Sequence, residues 1–102
     1  MNTAKKDQLW KELDDQSITK VEIDSIYKSL DKGNTGYISG KDAVVILNKL
    51  NAKIGIKEAK NDQWEWVLKQ LKMSVDDDIS KTDAMKIYKF VCNIAKDYLY
   101  CQ

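Results

Sequence analysis

The chain of 102 residues contains no histidine, no arginine and no proline. Without histidine it cannot form histidine-dependent acid–base centres, serine–histidine–aspartate triads or histidine-containing zinc sites. All 17 basic residues are lysines, so the chain lacks the arginine guanidinium group that binds phosphates and guanine through two hydrogen bonds. The net charge is +1, so the chain also lacks the strong positive charge that favours nucleic-acid binding. No apolar run approaches the roughly 18 residues of a membrane span. With no phosphate loop and no nucleophile–base pair visible, an enzyme is not expected.

Cysteine is also scarce, and its placement argues against a disulfide. Cys92 and Cys101 are the only two cysteines, and both fall in a predicted C-terminal helix. Nine residues of helix separate them by about 13.5 Å along the axis, which is too far for a disulfide. The two thiols are therefore expected to be reduced, as in cytosolic proteins. Residues 1–15 are polar and lack the apolar region of a signal peptide, so the sequence predicts a cytoplasmic protein.

Three of the four glycines lie within eight residues, at positions 33, 36 and 40, and therefore mark a single loop. Elsewhere apolar residues recur at the three- and four-residue spacing of helices. Thr3 is a plausible N-cap for the first helix, and Thr19 with Glu22 has capping-box spacing for the second. The pattern predicts helices at about 3–15, 20–30, 40–50, 61–71 and 81–98, with two short extended segments at 37–39 and 78–80.

The chain also repeats itself with an offset of 41 residues. Asp31 aligns with Lys72, Ile38 with Ile79, and the helical positions on either side align apolar with apolar. A repeat of this length indicates one supersecondary unit used twice, because a single copy cannot bury its apolar face alone.

The first copy carries an acid at loop position 1 (Asp31), glycine at 6 (Gly36), isoleucine at 8 (Ile38) and an acid at 12 (Asp42) between two amphipathic helices. This pattern closely resembles an EF-hand of the calmodulin superfamily. The resemblance implies a single all-α domain over residues 1–102, an EF-hand pair in which Ile38 and Ile79 form a short two-stranded contact between the loops. Its parts would be an N-terminal helix (1–17), a first hand (20–50), and a second hand with an extended C-terminal helix (61–102).

The resemblance implies calcium as the ligand of the first loop, residues 31–42. Its metal-ligating positions are Asp31, Thr35, Tyr37 (through its carbonyl), Ser39 and Asp42. Position 3 is Gly33, which offers no side-chain oxygen, so two carboxylates stand where strong sites carry three or four. Asp42 is one methylene shorter than the usual glutamate, which favours the smaller magnesium ion relative to calcium. Weak calcium binding, competition from magnesium and a loop that folds without metal all remain open.

The second loop, residues 72–83, begins with Lys72, a cation at the first ligand position. Asp77 stands at position 6 and would have to adopt the left-handed turn without being glycine. A metal would need Lys72 to swing away, so a solvated acidic loop is favoured. The remaining candidate ligands are Ser74, Asp76, Asp78 and Asp83.

Candidate partner-binding residues are Trp66, Trp10, Met73 and Met85. Trp66 cannot share the face of Trp64, a predicted core residue two positions earlier on the same helix, so it packs under the N-terminal helix or is exposed. Leu9, Trp10 and Leu13 form an apolar stripe that covers a groove as an internal lid or docks on a partner; intramolecular docking is favoured.

Three functions follow from the resemblance. The leading hypothesis is a regulatory module that senses calcium through the first loop and binds an amphipathic helix of a target protein. The alternative is a calcium-insensitive adaptor, similar to light chains or to a structural lobe of a cytoskeletal calcium-binding protein. A reader of short motifs, similar to Eps15-homology domains, matches less well because the tryptophan spacing differs.

Overall fold

The apolar stripes form five helices in the computed structural model, which describes residues 3–100 and is mostly helical with one small antiparallel sheet. None of the helices in the described range combines the length and apolar character that crossing a membrane requires. In chain order the elements are α1 (Thr3–Asp14), α2 (Gln16–Leu30), β1 (Tyr37–Ser39), α3 (Val44–Lys53), α4 (Asn61–Gln70), β2 (Asp78–Ser80) and α5 (Lys81–Tyr100).

The expected start of α2 is wrong by four residues. The helix begins at Gln16 because Asp15 caps it, accepting a hydrogen bond of 2.9 Å from the Ser17 backbone N–H. Residues 16 and 17 therefore belong to α2 and not to the N-terminal helix. Thr19 is not a cap: it lies inside the helix, buried, and its hydroxyl donates to the Gln16 carbonyl at 3.1 Å.

The start of α3 is also later than the pattern predicts, at Val44 instead of about position 40. The Gly40 N–H donates to the Asp77 carbonyl at 2.9 Å and extends the sheet ladder, so this residue is unavailable to a helix. Residues 41–43 form a turn between the sheet and α3.

The two strands confirm the predicted contact between the loops. β1 and β2 pair antiparallel, with Ile38 opposite Ile79, and both side chains are buried. The Tyr27 hydroxyl of α2 lies 2.6 Å from the Gly36 carbonyl and 3.2 Å from the Ile79 carbonyl. Burial raises the pKa of this hydroxyl, which therefore stays protonated as a donor. The sheet and Tyr27 together join the first unit (α2–β1–α3) to the second (α4–β2–α5).

The core is the repeated apolar face that the sequence shows twice. Trp64 is buried as predicted, and its indole N–H donates to the Gly40 carbonyl at 2.8 Å. Most positions that match at the 41-residue offset are buried in both copies. These pairs are Ile23 with Trp64, Ile26 with Val67, Tyr27 with Leu68, Ala43 with Ala84, Ile46 with Ile87, Leu47 with Tyr88, and Leu50 with Val91.

Helix α1 docks within the molecule, on α5 and α2. Leu13 is buried, and Trp10 is half-buried with the Lys96 ammonium of α5 5.2 Å from its ring centroid. The same ammonium pairs with the Asp14 carboxylate at 2.9 Å. Cys92, also on α5, is a free thiol whose burial raises its pKa to about 12; Cys101 lies outside the described residues.

A single carboxylate ties three helices together on this side of the molecule. Glu22 of α2 accepts from the Lys53 ammonium of α3 at 2.6 Å and from the Tyr88 hydroxyl of α5. Partial burial raises the pKa of Glu22, but the hydrogen bonds from Lys53 and Tyr88 and the charges of Lys53 and Lys49 outweigh burial and hold the pKa below its usual range. Glu22 is therefore ionised at neutral pH and stabilises the junction of α2, α3 and α5.

Gly40 lies in close contact with the backbone of the second unit. A β-carbon at this position would lie 2.5 Å from the Ser74 carbonyl oxygen and 2.9 Å from the Val75 backbone. We expect Gly40→Ala to lower the free energy of unfolding by about 1–3 kcal/mol, because neither backbone segment can move without breaking the sheet contact. Urea denaturation followed by circular dichroism measures the change.

Gly33→Ala is the matched control, since its β-carbon would meet only the Thr35 methyl group, at 3.3 Å. Its effect should stay within about 0.5 kcal/mol. Equal destabilisation by the two variants would contradict the close packing of the loops at Gly40.

Candidate functional site

The backbone of the first loop takes the conformation that the sequence predicts. Gly36 has φ +85°, the left-handed conformation in which a β-carbon is disfavoured, and Asn34 has φ +49°. Asparagine tolerates this region better than most side chains because its short polar group can bond locally. The two left-handed residues turn the chain back toward Asp31 at the end of α2.

Asp31 organises the loop. Its Oδ1 accepts from the Thr35 N–H and hydroxyl, both at 2.9 Å, and its Oδ2 accepts from the Gly36 N–H at 2.8 Å. The hydrogen bonds from the two backbone N–H groups hold the pKa of this exposed carboxyl below its ordinary value. The loop therefore presents an ionised carboxylate at neutral pH.

The Thr35 hydroxyl of the first loop lies close to two other predicted ligand oxygens, within hydrogen-bond distance of each. Thr35 Oγ1 lies 2.9 Å from Asp31 Oδ1 and 3.0 Å from the Tyr37 carbonyl oxygen. Oxygens that share a calcium ion at about 2.3–2.6 Å stand at comparable separations from one another. The residues fit a cation held by one carboxylate, one hydroxyl and one carbonyl.

The other two predicted ligands contribute less to this cluster. The Ser39 hydroxyl accepts from the Asp42 N–H at 3.0 Å and closes the end of the loop, while the Asp42 side chain is exposed. Within residues 3–100, no three acidic, cysteine or histidine side chains gather in a metal-binding arrangement. The charge available to a cation in the first loop is thus small.

In the second loop, the first residue, Lys72, ends helix α4 and provides no metal ligand. Lys72 has φ +60°, its N–H donates to the Lys69 carbonyl at 3.1 Å, and the Met73 N–H donates to the Leu68 carbonyl at 2.9 Å. This is the Schellman arrangement that ends a helix with a left-handed residue. The expectation that Asp77 adopts the left-handed turn is wrong: among the described residues of this loop, Lys72 is the one with a positive φ.

The remaining candidate ligands of the second loop bond to its own backbone or face solvent. The Ser74 hydroxyl accepts from the Asp76 N–H at 3.0 Å, and Asp76 and Asp78 are exposed. Asp78 and Asp83 line a depression of about 340 Å³ together with Lys72 and other residues. Because Lys72 closes α4 and brings its positive charge to this depression, the second loop does not fit a divalent cation.

A second feature is an apolar groove of about 470 Å³ between α3, α4 and α5. Three large apolar side chains at the groove are exposed: Trp66 by 52%, Ile94 by 40% and Tyr98 by 40%. The Trp66 ring rests against Phe90, with 6.1 Å between centroids. The polar lining residues are Asn51, Asp62 and Gln63, and the remaining apolar ones are Leu47, Ile54, Ile56, Val67, Val91 and Ala95.

The structure separates the predicted partner-binding residues. Trp66 lines the groove and is exposed, whereas Trp10 lies on α1, which contributes no residue to the groove lining. Met73 and Met85 are half-buried against the core and also lie outside the groove lining. α1 therefore docks intramolecularly, as favoured, but does not cover the groove.

Sequence reasoning missed most of the groove. Ile94 and Tyr98 fall on the same apolar stripe of α5 as the buried residues Val91 and Leu99, and that stripe is too wide for one buried face. The excess width is the signal that could have shown a second apolar surface on α5.

Comparison of the chain with protein-family models, with curated proteins and with solved structures finds no significant match.

The role of Lys72 can be tested by substitution. We expect Lys72→Gly to raise the free energy of unfolding by about 0.5–1 kcal/mol, because relief of left-handed strain exceeds the entropy that glycine adds to the unfolded chain. Lys69→Gly, at an exposed position of α4, should lower the free energy of unfolding by about 1 kcal/mol. Thermal or urea denaturation measures both, and a loss of stability in Lys72→Gly would contradict the Schellman assignment.

Proposed function

We propose that this chain is an EF-hand-type pair that binds an amphipathic helix of a partner protein in the apolar groove between α3, α4 and α5. The observation that carries the proposal is the exposed cluster of Trp66, Ile94 and Tyr98 around the groove. Large apolar side chains gathered at a concave surface favour a protein ligand, and tryptophan and tyrosine contribute most to such contacts.

The groove favours a helix with at least one basic residue. Its lining is apolar apart from Asn51 of α3 and Asp62 and Gln63 of α4, of which Asp62 is charged. Within residues 3–100, the hydrogen-bond donor to the Asp62 carboxylate is the neighbouring Gln63 N–H, at 2.9 Å from Oδ1. A lysine or arginine of the partner can pair with this carboxylate while apolar residues of the same helix contact Trp66 and Ile94.

We infer that the first loop is the regulatory cation site of this module. The closeness of the Thr35 hydroxyl to Asp31 and to the Tyr37 carbonyl supports weak calcium binding. A cation bound there would alter the positions of α2 and α3, which adjoin the two ends of the loop. Because α3 lines the groove, a shift of this helix would change the groove's width.

The competing candidate is a metal-insensitive adaptor, and the second loop favours it. α4 and α5 form most of the groove wall, and the loop that connects them is closed by Lys72 without a divalent cation. In that case the groove binds the same helix with and without calcium.

The calcium response separates the two candidates. We expect amide resonances of the first loop to shift on calcium addition with a Kd of about 10⁻⁴–10⁻³ M, as for a site with few charged ligands. Asp31→Asn should abolish the shifts, and Asp76→Asn in the second loop should leave them unchanged. No response at millimolar calcium would remove the sensor and leave the adaptor.

Helix binding is tested with a leucine–lysine amphipathic model peptide and its scrambled counterpart. We expect the helical peptide to bind and Trp66→Ala to weaken binding by about tenfold or more, as for removal of a central aromatic contact. Val21→Ala is the matched control, because Val21 is an exposed apolar residue of α2 outside the groove. Equal affinity of Trp66→Ala and the unaltered chain would overturn the groove as the binding surface.

A further inference from the structure

One buried hydroxyl connects the core to the exposed first loop. Tyr27 lies on α2, one turn before Asp31, and only 7% of it is exposed. Its hydroxyl donates to the Gly36 carbonyl at 2.6 Å and lies 3.2 Å from the Ile79 carbonyl of β2. Residues 32–37 of the loop, by contrast, are exposed. The Tyr27 hydroxyl is therefore a point at which the core fixes a solvent-facing segment of backbone.

Three hydrogen bonds form a closed cycle between the end of α2 and the middle of the loop. The Asp31 N–H donates to the Tyr27 carbonyl at 2.9 Å, and the Gly36 N–H donates to Asp31 Oδ2 at 2.8 Å. The Tyr27 hydroxyl completes the cycle by donating to the Gly36 carbonyl. Without this hydroxyl, Gly36 would be joined to the end of α2 only by its exposed bond to the Asp31 carboxylate.

The same hydroxyl fixes the peptide group that adjoins two candidate cation ligands. This peptide group joins Gly36 to Tyr37: its carbonyl accepts from Tyr27, and its N–H donates to Thr35 Oγ1 at 3.2 Å. Because a peptide group is planar, holding both of its ends limits rotation of the backbone beside Thr35 and Tyr37. The Gly36 carbonyl is not a candidate ligand, so its bond to Tyr27 is compatible with a bound cation.

The second unit lacks the side chains that this cycle requires. At the 41-residue offset, Tyr27 corresponds to Leu68 and Asp31 corresponds to Lys72. A leucine side chain has no hydrogen-bonding group and a lysine ammonium only donates, so neither residue can replace its counterpart. Leu68 is buried like Tyr27, so the core position is shared and the hydroxyl is what differs. The hydroxyl thus accompanies the loop whose residues fit a cation.

We propose that Tyr27 is a positioning residue for the cation site of the first loop. Its hydroxyl holds the peptide group between Gly36 and Tyr37 in the orientation that keeps the Tyr37 carbonyl beside the Thr35 hydroxyl. The inference rests on the proposed calcium site and adds to it a residue outside the loop at 31–42. A loop that is held in its binding conformation before the ion arrives loses less conformational freedom on binding, which strengthens binding where charged ligands are few.

Tyr27→Phe tests the proposal, because it removes the hydroxyl and keeps the buried ring. In calcium titrations of the full chain followed by first-loop amide resonances, we expect this variant to bind calcium about three- to tenfold more weakly, as for the loss of one hydrogen bond. In calcium-free protein, the Gly36 N–H of the variant should exchange with solvent faster than in the unaltered chain. Tyr88→Phe is the matched control, since it removes a hydroxyl that donates to Glu22, and it should leave both measurements unchanged.

A second measurement needs no variant and applies even if Tyr27→Phe does not fold. If the Tyr27 hydrogen bond favours calcium binding, calcium binding favours that hydrogen bond by the same factor. We therefore expect the Tyr27 hydroxyl proton of the unaltered chain to exchange with solvent more slowly once calcium is added, and the Tyr88 hydroxyl proton to keep its rate. A Tyr27 exchange rate that calcium does not change would overturn the proposal.

The outcomes separate this inference from the function on which it rests. If Tyr27→Phe binds calcium as tightly as the unaltered chain, the role of Tyr27 is overturned and the calcium site stands. Equal weakening by Tyr27→Phe and Tyr88→Phe would indicate a general loss of stability, which also overturns that role. If the unaltered chain does not respond to millimolar calcium, the calcium site and this inference fall together, and the helix-binding groove remains as the adaptor surface.

Discussion

The antiparallel contact between β1 and β2 is the constraint on which the rest of the structure depends. It is only three residues long on each side, yet it fixes Ile38 against Ile79 and brings each loop to the other unit. The Tyr27 hydroxyl and the Trp64 indole satisfy carbonyls beside this contact, and Gly40 allows the backbones of the two units to approach. Short strands are weak alone, so these buried polar bonds and the packing around them are what hold the two units in register.

The two units share their buried apolar positions and differ in the residues at their surfaces. The same helical faces meet in one core, because the apolar positions of both copies are matched. The first unit carries the ion pair of Glu22 with Lys53 between α2 and α3. The second unit carries Gln63 and Ile94 at the equivalent positions and leaves an apolar groove. The same repeated architecture thus carries an ion pair in the first unit and an open apolar groove beside the second.

The two loops also differ from each other in their backbone conformation. In the first loop, left-handed Gly36 and Asn34 direct the backbone toward Asp31, and the Thr35 hydroxyl lies within hydrogen-bond distance of Asp31 and of the Tyr37 carbonyl. In the second loop, left-handed Lys72 ends α4 by a Schellman turn. Because Lys72 occupies the first ligand position, the second loop has no oxygen ligand there. We interpret this loop as a structural connection between α4 and α5.

The sequence by itself determined the helical class, the 41-residue repeat, the two short strands, the buried Trp64 and the left-handed Gly36, because periodicity and glycine placement act locally. The apolar pattern misplaced the starts of α2 and α3. The start of α2 is set by the N-cap Asp15, and the start of α3 is delayed by the hydrogen bond of Gly40 to the sheet. Only the tertiary structure decided where α1 docks, which apolar stripe of α5 stays exposed, and that Glu22 joins three helices. Those outcomes depend on contacts between residues far apart in the chain, and apolar residues at helical spacing do not specify which partner buries them.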